Sequence, residues 1–152
     1  MIDTVVRPAT PGDAGPLRVL EAEARAALSD ARGGRRWLEE HPAIDDKWEQ
    51  AVVERTVLVA ELAPADDPPL DVGFLVLDID GDVAVVDQVY VTPEARELGF
   101  GDTLLEAAVE AATAAAAHVI EGHALPGDRE TKNLYERAGI TARLITVSRR
   151  LD

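Results

Sequence analysis

The sequence predicts one α/β domain of the mixed kind. A mostly antiparallel central sheet contains a single parallel strand–helix–strand crossover, with helices on both faces. Three observations predict it. Short runs rich in β-branched residues alternate with helical periodicities in the order strand, helices, three strands, helix, strand, helix, strand. Asp80-Gly81, a strong hairpin-turn dipeptide, separates two of those runs. The third of the consecutive strands passes through a loop with two glycines into an apolar-periodic helix and then a further strand, an order that requires a parallel crossover, expected to be right-handed.

Each element has its own signal. Thr4 to Arg7 is a short β-like run ended by Pro8, and Thr10-Pro11-Gly12-Asp13 supplies a hydroxyl cap, a proline at the first helical position and a carboxylate at the third. Leu17, Leu20, Ala24, Ala27 and Leu28 follow at helical spacing until Ser29 to Gly34 breaks the pattern. Arg35 to Glu40 reads as a helical turn closed at His41-Pro42, and Asp45 to Arg55 as another helix. Thr56 to Ala60 is the next strand. An acidic, proline-rich loop from Pro64 to Pro69 leads to Val72 to Asp78, and Val83 to Val91 returns across the Asp80-Gly81 turn. After the long helix, Val119 to Ala124 is strand-like, Thr131 to Arg137 is a short helix stopped near Gly139, and Ala142 to Arg149 closes the chain as a strand. No repeat or linker interrupts the order, so residues 1–152 are expected to form a single domain.

Bulk composition narrows the partners. A formal net charge of −14 opposes nucleic acid and anionic membrane surfaces, because both would be repelled. The absence of cysteine excludes disulfides, thiolate metal sites and a cysteine nucleophile. His41, His118 and His123 have no metal-ligand spacing, so no metal is expected. MIDTVVRPAT lacks the charged-then-apolar pattern of a secretory leader, and no run approaches a membrane span, which makes a cytoplasmic protein the expectation.

The chemistry concentrates in VYVTPEARELGFGDTLLEAAVEAA, Val89 to Ala112. A glycine-rich turn from a strand into a helix can cradle phosphate, since glycine allows close backbone approach and the helix start presents unpaired amides at the positive end of the macrodipole. The dinucleotide fingerprint fails here because Leu104 stands where its third small residue belongs, and the nucleoside-triphosphate loop fails for want of Gly-Lys-Ser/Thr. What remains is Arg96-x-x-Gly99-x-Gly101, preceded by Val-Tyr-Val-Thr-Pro, followed by a Leu-Leu helix, a strand and then Leu134-Tyr135-Glu136-Arg137-Ala138-Gly139-Ile140. This constellation resembles the GNAT superfamily of acyl-CoA-dependent N-acetyltransferases, and the order of elements resembles it from Thr4 onward.

The resemblance implies an N-acyltransferase that moves an acetyl or short acyl group from acetyl-CoA or a related thioester to a primary amine of a small molecule or peptide. It implies that amides of Leu98, Gly99, Phe100, Gly101, Asp102 and Thr103, with Arg96 in the motif, hold the pyrophosphate, while backbone of Val89 and Val91 pairs with the pantetheine arm. Tyr135 takes the position of the tyrosine that protonates the departing thiolate. Asp87 is the first candidate for the base that deprotonates the amine, having the strand parity of Val89 and Val91; Glu121 and His123 on the next strand are the others. Arg35, Arg36 and Trp37 lie where relatives build the acceptor site. The sequence departs from the pattern at Asp128, where many members carry asparagine, and in the acidic residues Glu94, Glu97 and Asp102 of the glycine loop. These departures leave a second reading open, a non-catalytic CoA-binding or regulatory domain. One strand after Tyr135, where relatives usually have two, leaves a sheet edge that a neighbouring subunit would complete, so a homodimer is also open.

Overall fold

The computed structural model describes residues 3–152. Its sheet has five strands in chain order: β1 (Asp3–Pro8), β2 (Thr56–Ala63), β3 (Leu70–Asp80), β4 (Val83–Val91) and β5 (Val119–Gly122). The first four pair antiparallel, and β5 runs parallel to β4, as the crossover argument requires. Helices α1 (Ala14–Leu28) and α3 (Trp48–Glu54) cover one face, with α2 (Gly34–Glu40) beside α1. Helices α4 (Phe100–Ala114) and α5 (Arg129–Arg137) cover the other.

Side-chain alternation along β3 divides the core between the faces. Phe74 and Val76 pack with Leu17, Leu20 and Trp48 from α1 and α3, whereas Leu75 and Leu77 pack with Leu104, Leu105 and Ala108 from α4. Each of these side chains is almost wholly withdrawn from water and contributes about 1.5–3 kcal/mol of transfer free energy where it is large and aliphatic. A strand apolar at every position is what a two-faced core demands.

Several elements differ in extent from expectation. The strands β2 and β3 run on to Ala63 and Asp80, because pairing with β1 carries the first to Ala63 opposite Asp3 and pairing with β4 carries the second to Asp80 opposite Val83. The helix expected from Asp45 opens as a 3₁₀ turn over Asp45–Lys47, with Asp45 at φ 54°, and becomes α-helical at Trp48. The strand expected to reach Ala124 stops at Gly122, where its last pairing, Gly122 to Val86, is made. The expected final strand from Ala142 to Arg149 is absent. Residues 141–152 carry no helix or strand and are exposed, including Leu144, Ile145, Val147 and Leu151. A strand draws its hydrogen bonds and its packing from neighbours, and within one chain this segment has neither.

Candidate active site

Pairing between β4 and β5 covers only four positions, Val83 to Val86 against Val119 to Gly122. Beyond Val86 the strands part, so β4 from Asp87 to Val91 has β3 on one side and no strand on the other. The glycine turn follows directly from that open edge. Pro93–Leu98 forms a 3₁₀ turn, and Gly99, at φ 81°, reverses the chain into α4 from the left-handed region that a Cβ would disfavour. No side chain caps α4. The first backbone bond at its start runs from the Thr103 amide to the Gly99 carbonyl, and the Thr103 hydroxyl donates to the same oxygen. The amides of Phe100, Gly101 and Asp102 therefore lie in the first turn with no helical acceptor, at the positive end of a fifteen-residue helix.

Other residues of the motif have structural tasks. The Arg96 Nε donates to the Val91 carbonyl at 3.0 Å, its guanidinium lies 5.7 Å from the centre of the Tyr90 ring, and it pairs with Glu130 at the start of α5. It thus ties the turn to the end of β4 and to α5. Asp102 is bound by Arg137 at 2.8 Å, which offsets one of the turn's three carboxylates and fastens α4 to α5. Gly101 is also a packing residue: a Cβ there would stand 3.0 Å from a methyl of Leu134.

Tyr135 sits where β4 and β5 part. It is 6% exposed, and its ring lies so close to Gly122 that a Cβ on that glycine would come within 2.4 Å of the phenolic carbon and oxygen. Burial drives the Tyr135 phenol well above the ordinary tyrosine range. A hydrogen bond from the His123 backbone works in the opposite direction, and the carboxylates of Asp128 and Asp87 raise it further. The group is thus a protonated donor at neutral pH. Asp128 caps α5, accepting from the Thr131 amide at 3.2 Å and its hydroxyl at 2.6 Å, so the acid at the position where asparagine is usual does a cap's work.

Asp87 occupies a bulge. Gln88 opposes Val76 and Val86 opposes Leu77, leaving Asp87 without a partner across the ladder. The bulge breaks the parity expected with Val89 and Val91: those two pack on the α4 side, while the Asp87 carboxylate takes a hydrogen bond of 3.1 Å from Arg55, at the end of α3. Arg55 holds Asp78 with two further bonds of 2.7 and 2.6 Å. Trp37 is stacked on His41 with centroids 3.6 Å apart and lies tilted 5.3 Å from His123, just past the end of β5. Arg35 and Arg36 stay on the exposed side of α2, Arg36 paired with Glu40. Glu121 is exposed on β5.

Sequence reasoning missed two polar groups. Glu21 is 1% exposed, and its carboxylate accepts from the Ile44 and Asp45 amides and from the Gln88 side chain at 2.7–3.0 Å. It locks α1 and the entry to α3 onto β4 beside the opening. The signal was present, since Glu21 stands four residues after Leu17 on the apolar stripe. Arg7 binds Asp13 bidentately at 2.8 Å, Glu61 at 2.7 Å and Asp71 at 3.5 Å. Burial and the neighbouring Asp13 carboxylate push Asp71 up to about 7, while Arg7 holds Asp13 well below the usual carboxylate range. Contacts this long in sequence carry no local pattern.

Comparison with known proteins bears on this geometry. The sequence matches the acetyltransferase (GNAT) family over residues 23–140. No curated protein matches the chain by sequence. Solved structures similar to it include aminoglycoside N-acetyltransferase AAC(6')-Iy in complex with CoA, at 17% identity and TM-score 0.66 over 99% of this chain and 97% of that one. PaiA N-acetyltransferase from Thermoplasma acidophilum in complex with coenzyme A superposes with TM-score 0.69 at 18% identity, over 90% of this chain and 88% of the other. A ribosomal-protein-alanine N-acetyltransferase from Brucella melitensis biovar Abortus 2308 gives TM-score 0.64 at 19% identity, over 100% and 99% of the chains. At such identities the likeness is one of fold. The family match spans most of the sequence, and the chain belongs to the GNAT acetyltransferase family. Among the described residues, no helix is long and apolar enough to cross a membrane.

Proposed function

We propose that the protein transfers an acetyl or other short acyl group from acyl-CoA to a primary amine of a small molecule or peptide. One observation carries the reading: the uncapped start of α4, the open edge of β4 and the buried Tyr135 phenol border one opening between β4 and β5. The residues fit the co-substrate. Unsatisfied amides of Phe100, Gly101 and Asp102 suit a pyrophosphate, and the backbone of Val89 and Val91 offers hydrogen bonds to an extended amide-bearing arm. Leu98, Gly99 and Thr103 shape the turn, and Arg96 fixes it.

In the transfer, the amine nitrogen bonds to the thioester carbonyl carbon and the carbon–sulfur bond breaks. Tyr135 gives its proton to the departing sulfur, and the nitrogen loses a proton to a base or to water. Asp87 is the first candidate for that base, acting through water because Arg55 already engages its carboxylate. His123 follows β5 directly at the opening, whereas Glu121 lies within the paired part of β5, opposite Val85. Trp37 supplies an aromatic wall on the acceptor side, with Arg35 and Arg36 farther out.

The hold of Arg55 on Asp87 favours a second reading, CoA binding without turnover, because that carboxylate is already engaged by a guanidinium. Calorimetric titration with acetyl-CoA, followed by an amine-acceptor screen, separates the outcomes. Binding near one per chain with thiol release on some amine supports transfer; Tyr135→Phe should then cut turnover by about 100-fold while leaving CoA affinity unchanged. Binding without release on any amine supports the second reading. Absence of binding by folded protein overturns both.

A further inference from the structure

We infer that Arg55 positions Asp87 for deprotonating the acceptor amine, an inference that rests on the transfer reading above. The place of Arg55 is fixed from both sides. Its amide closes α3 on the Ala51 carbonyl at 2.8 Å, and the next residue, Thr56, opens β2 opposite Leu77. The side chain then reaches across β3 as a fork, with Nε donating to Asp78 Oδ1 at 2.7 Å and Nη2 to Asp78 Oδ2 at 2.6 Å. The second hydrogen of the same Nη2 goes to Asp87 Oδ2 at 3.1 Å. Among the described residues nothing donates to the other Asp87 oxygen, Oδ1, and the side chain is 34% exposed. One oxygen is pinned and the other is left to water, the arrangement that a base acting through water requires.

The bond to Asp87 sets direction more than cohesion. The fork to Asp78 already ties the end of α3 to β3, and a further contact between partly exposed groups adds little to stability. Asp87, however, is the unpaired residue of a bulge, with no partner across the ladder to fix it. Without Arg55 its carboxylate would be free to change rotamer where β4 begins its open edge. Its position bears on the proton donor too. Beside burial, the Asp87 carboxylate helps to hold the Tyr135 phenol above its ordinary range, so the two groups lie within electrostatic reach. Asp78 belongs to the same device, because it aims the guanidinium that aims the base.

Three-bond nitrogen–carbon couplings to the Asp87 carboxyl carbon, measured by nuclear magnetic resonance, test the placement without any need for turnover. They should show one χ1 rotamer in the unaltered protein and rotamer averaging in Arg55→Met. With an amine that the protein acylates, Arg55→Met should lower kcat by about 10- to 100-fold and Asp87→Asn by about 100-fold. The double variant should fall no further than Asp87→Asn alone, because Arg55 acts through that carboxylate. Asp78→Asn keeps one acceptor for the fork but not the charge, and serves if Arg55→Met does not fold. It too should lower kcat, and add nothing on the Asp87→Asn background. The Kd for CoA should stay within about twofold throughout, since the α4 amides are untouched. Losses in kcat that multiply in the double variant overturn the inference. So does a single fixed Asp87 rotamer without Arg55, or an Arg55→Met variant as fast as the unaltered protein or faster. If the couplings behave as expected but no amine is acylated, the transfer reading fails, and the role of Arg55 falls with it.

Discussion

Gly122 shows how one missing atom can set the place of a buried phenol. Its hydrogen leaves room for the Tyr135 ring, and a Cβ would meet the phenolic carbon and oxygen at 2.4 Å. The ring is buried and cannot swing aside cheaply. Gly122→Ala is expected to cost about 1–3 kcal/mol by overpacking and to lower kcat by displacing the phenol. CoA affinity should stay within about twofold, since the α4 amides are untouched. Urea unfolding and a binding titration check it; an alanine variant with unaltered stability would mean the contact is slack. A second residue-scale prediction concerns Asp71. The folded protein holds the Asp71 proton up to about pH 7, whereas the unfolded chain releases it in the ordinary carboxylate range. Stability from this group is therefore greatest on the acid side and falls as pH rises toward about 7. Asp13 has the opposite sign: its pairing with Arg7 stabilises above the ordinary range and is lost as pH drops through and below it. Their sum places the melting maximum on the acid side of neutrality. Asp71→Asn keeps a donor for Asp13 without the charge. It should flatten the decline and exceed the unaltered protein by on the order of 1 kcal/mol at about pH 8. An unchanged slope in melting temperature against pH would remove Asp71 as its source.

At the scale of elements, the interlock of α4 and α5 decides where Tyr135 stands. Leu134 packs on Gly101, and Arg137 binds Asp102, so the glycine turn and the tyrosine helix are joined at two points. Gly101→Ala would press a methyl against the end of a flexible leucine, which can give by a few tenths of an ångström. We expect a loss of about 0.5–1.5 kcal/mol, read by thermal unfolding, with a fall in turnover larger than the fall in CoA affinity. Equal losses in both would place the damage in the amides and not in the tyrosine's position. The same interlock explains what was legible in the sequence. Strand and helix periods as far as Arg137, the Asp80-Gly81 turn and the turn around Gly99 are local patterns, and these reappear in the structure. The bulge at Asp87 is not local. It depends on how β4 registers against β3, and it turns that carboxylate toward Arg55, more than thirty residues away in sequence. The final strand fails for a related reason, because its apolar pattern is intrinsic but its pairing partner is not.

For the whole molecule, the decisive quantity is 29 acidic residues against 15 lysines and arginines. Local arginines soften the field at the glycine turn, where Arg137 pairs with Asp102 and Arg96 with Glu130, but these pairs neutralise only themselves. Polyanionic CoA therefore approaches a repulsive body, while a cationic amine approaches an attractive one. The two substrates of the proposed reaction should respond to salt with opposite signs. Between about 20 and 200 mM NaCl the screening length shrinks from roughly 20 to 7 Å, so long-range repulsion fades while contacts within the opening persist. The Kd for CoA should tighten by about two- to fivefold; the KM of a cationic acceptor should rise by a similar factor. Isothermal titration for the first and initial rates for the second check the pair. If CoA instead weakens with salt, favourable close contacts at the opening outweigh the net charge.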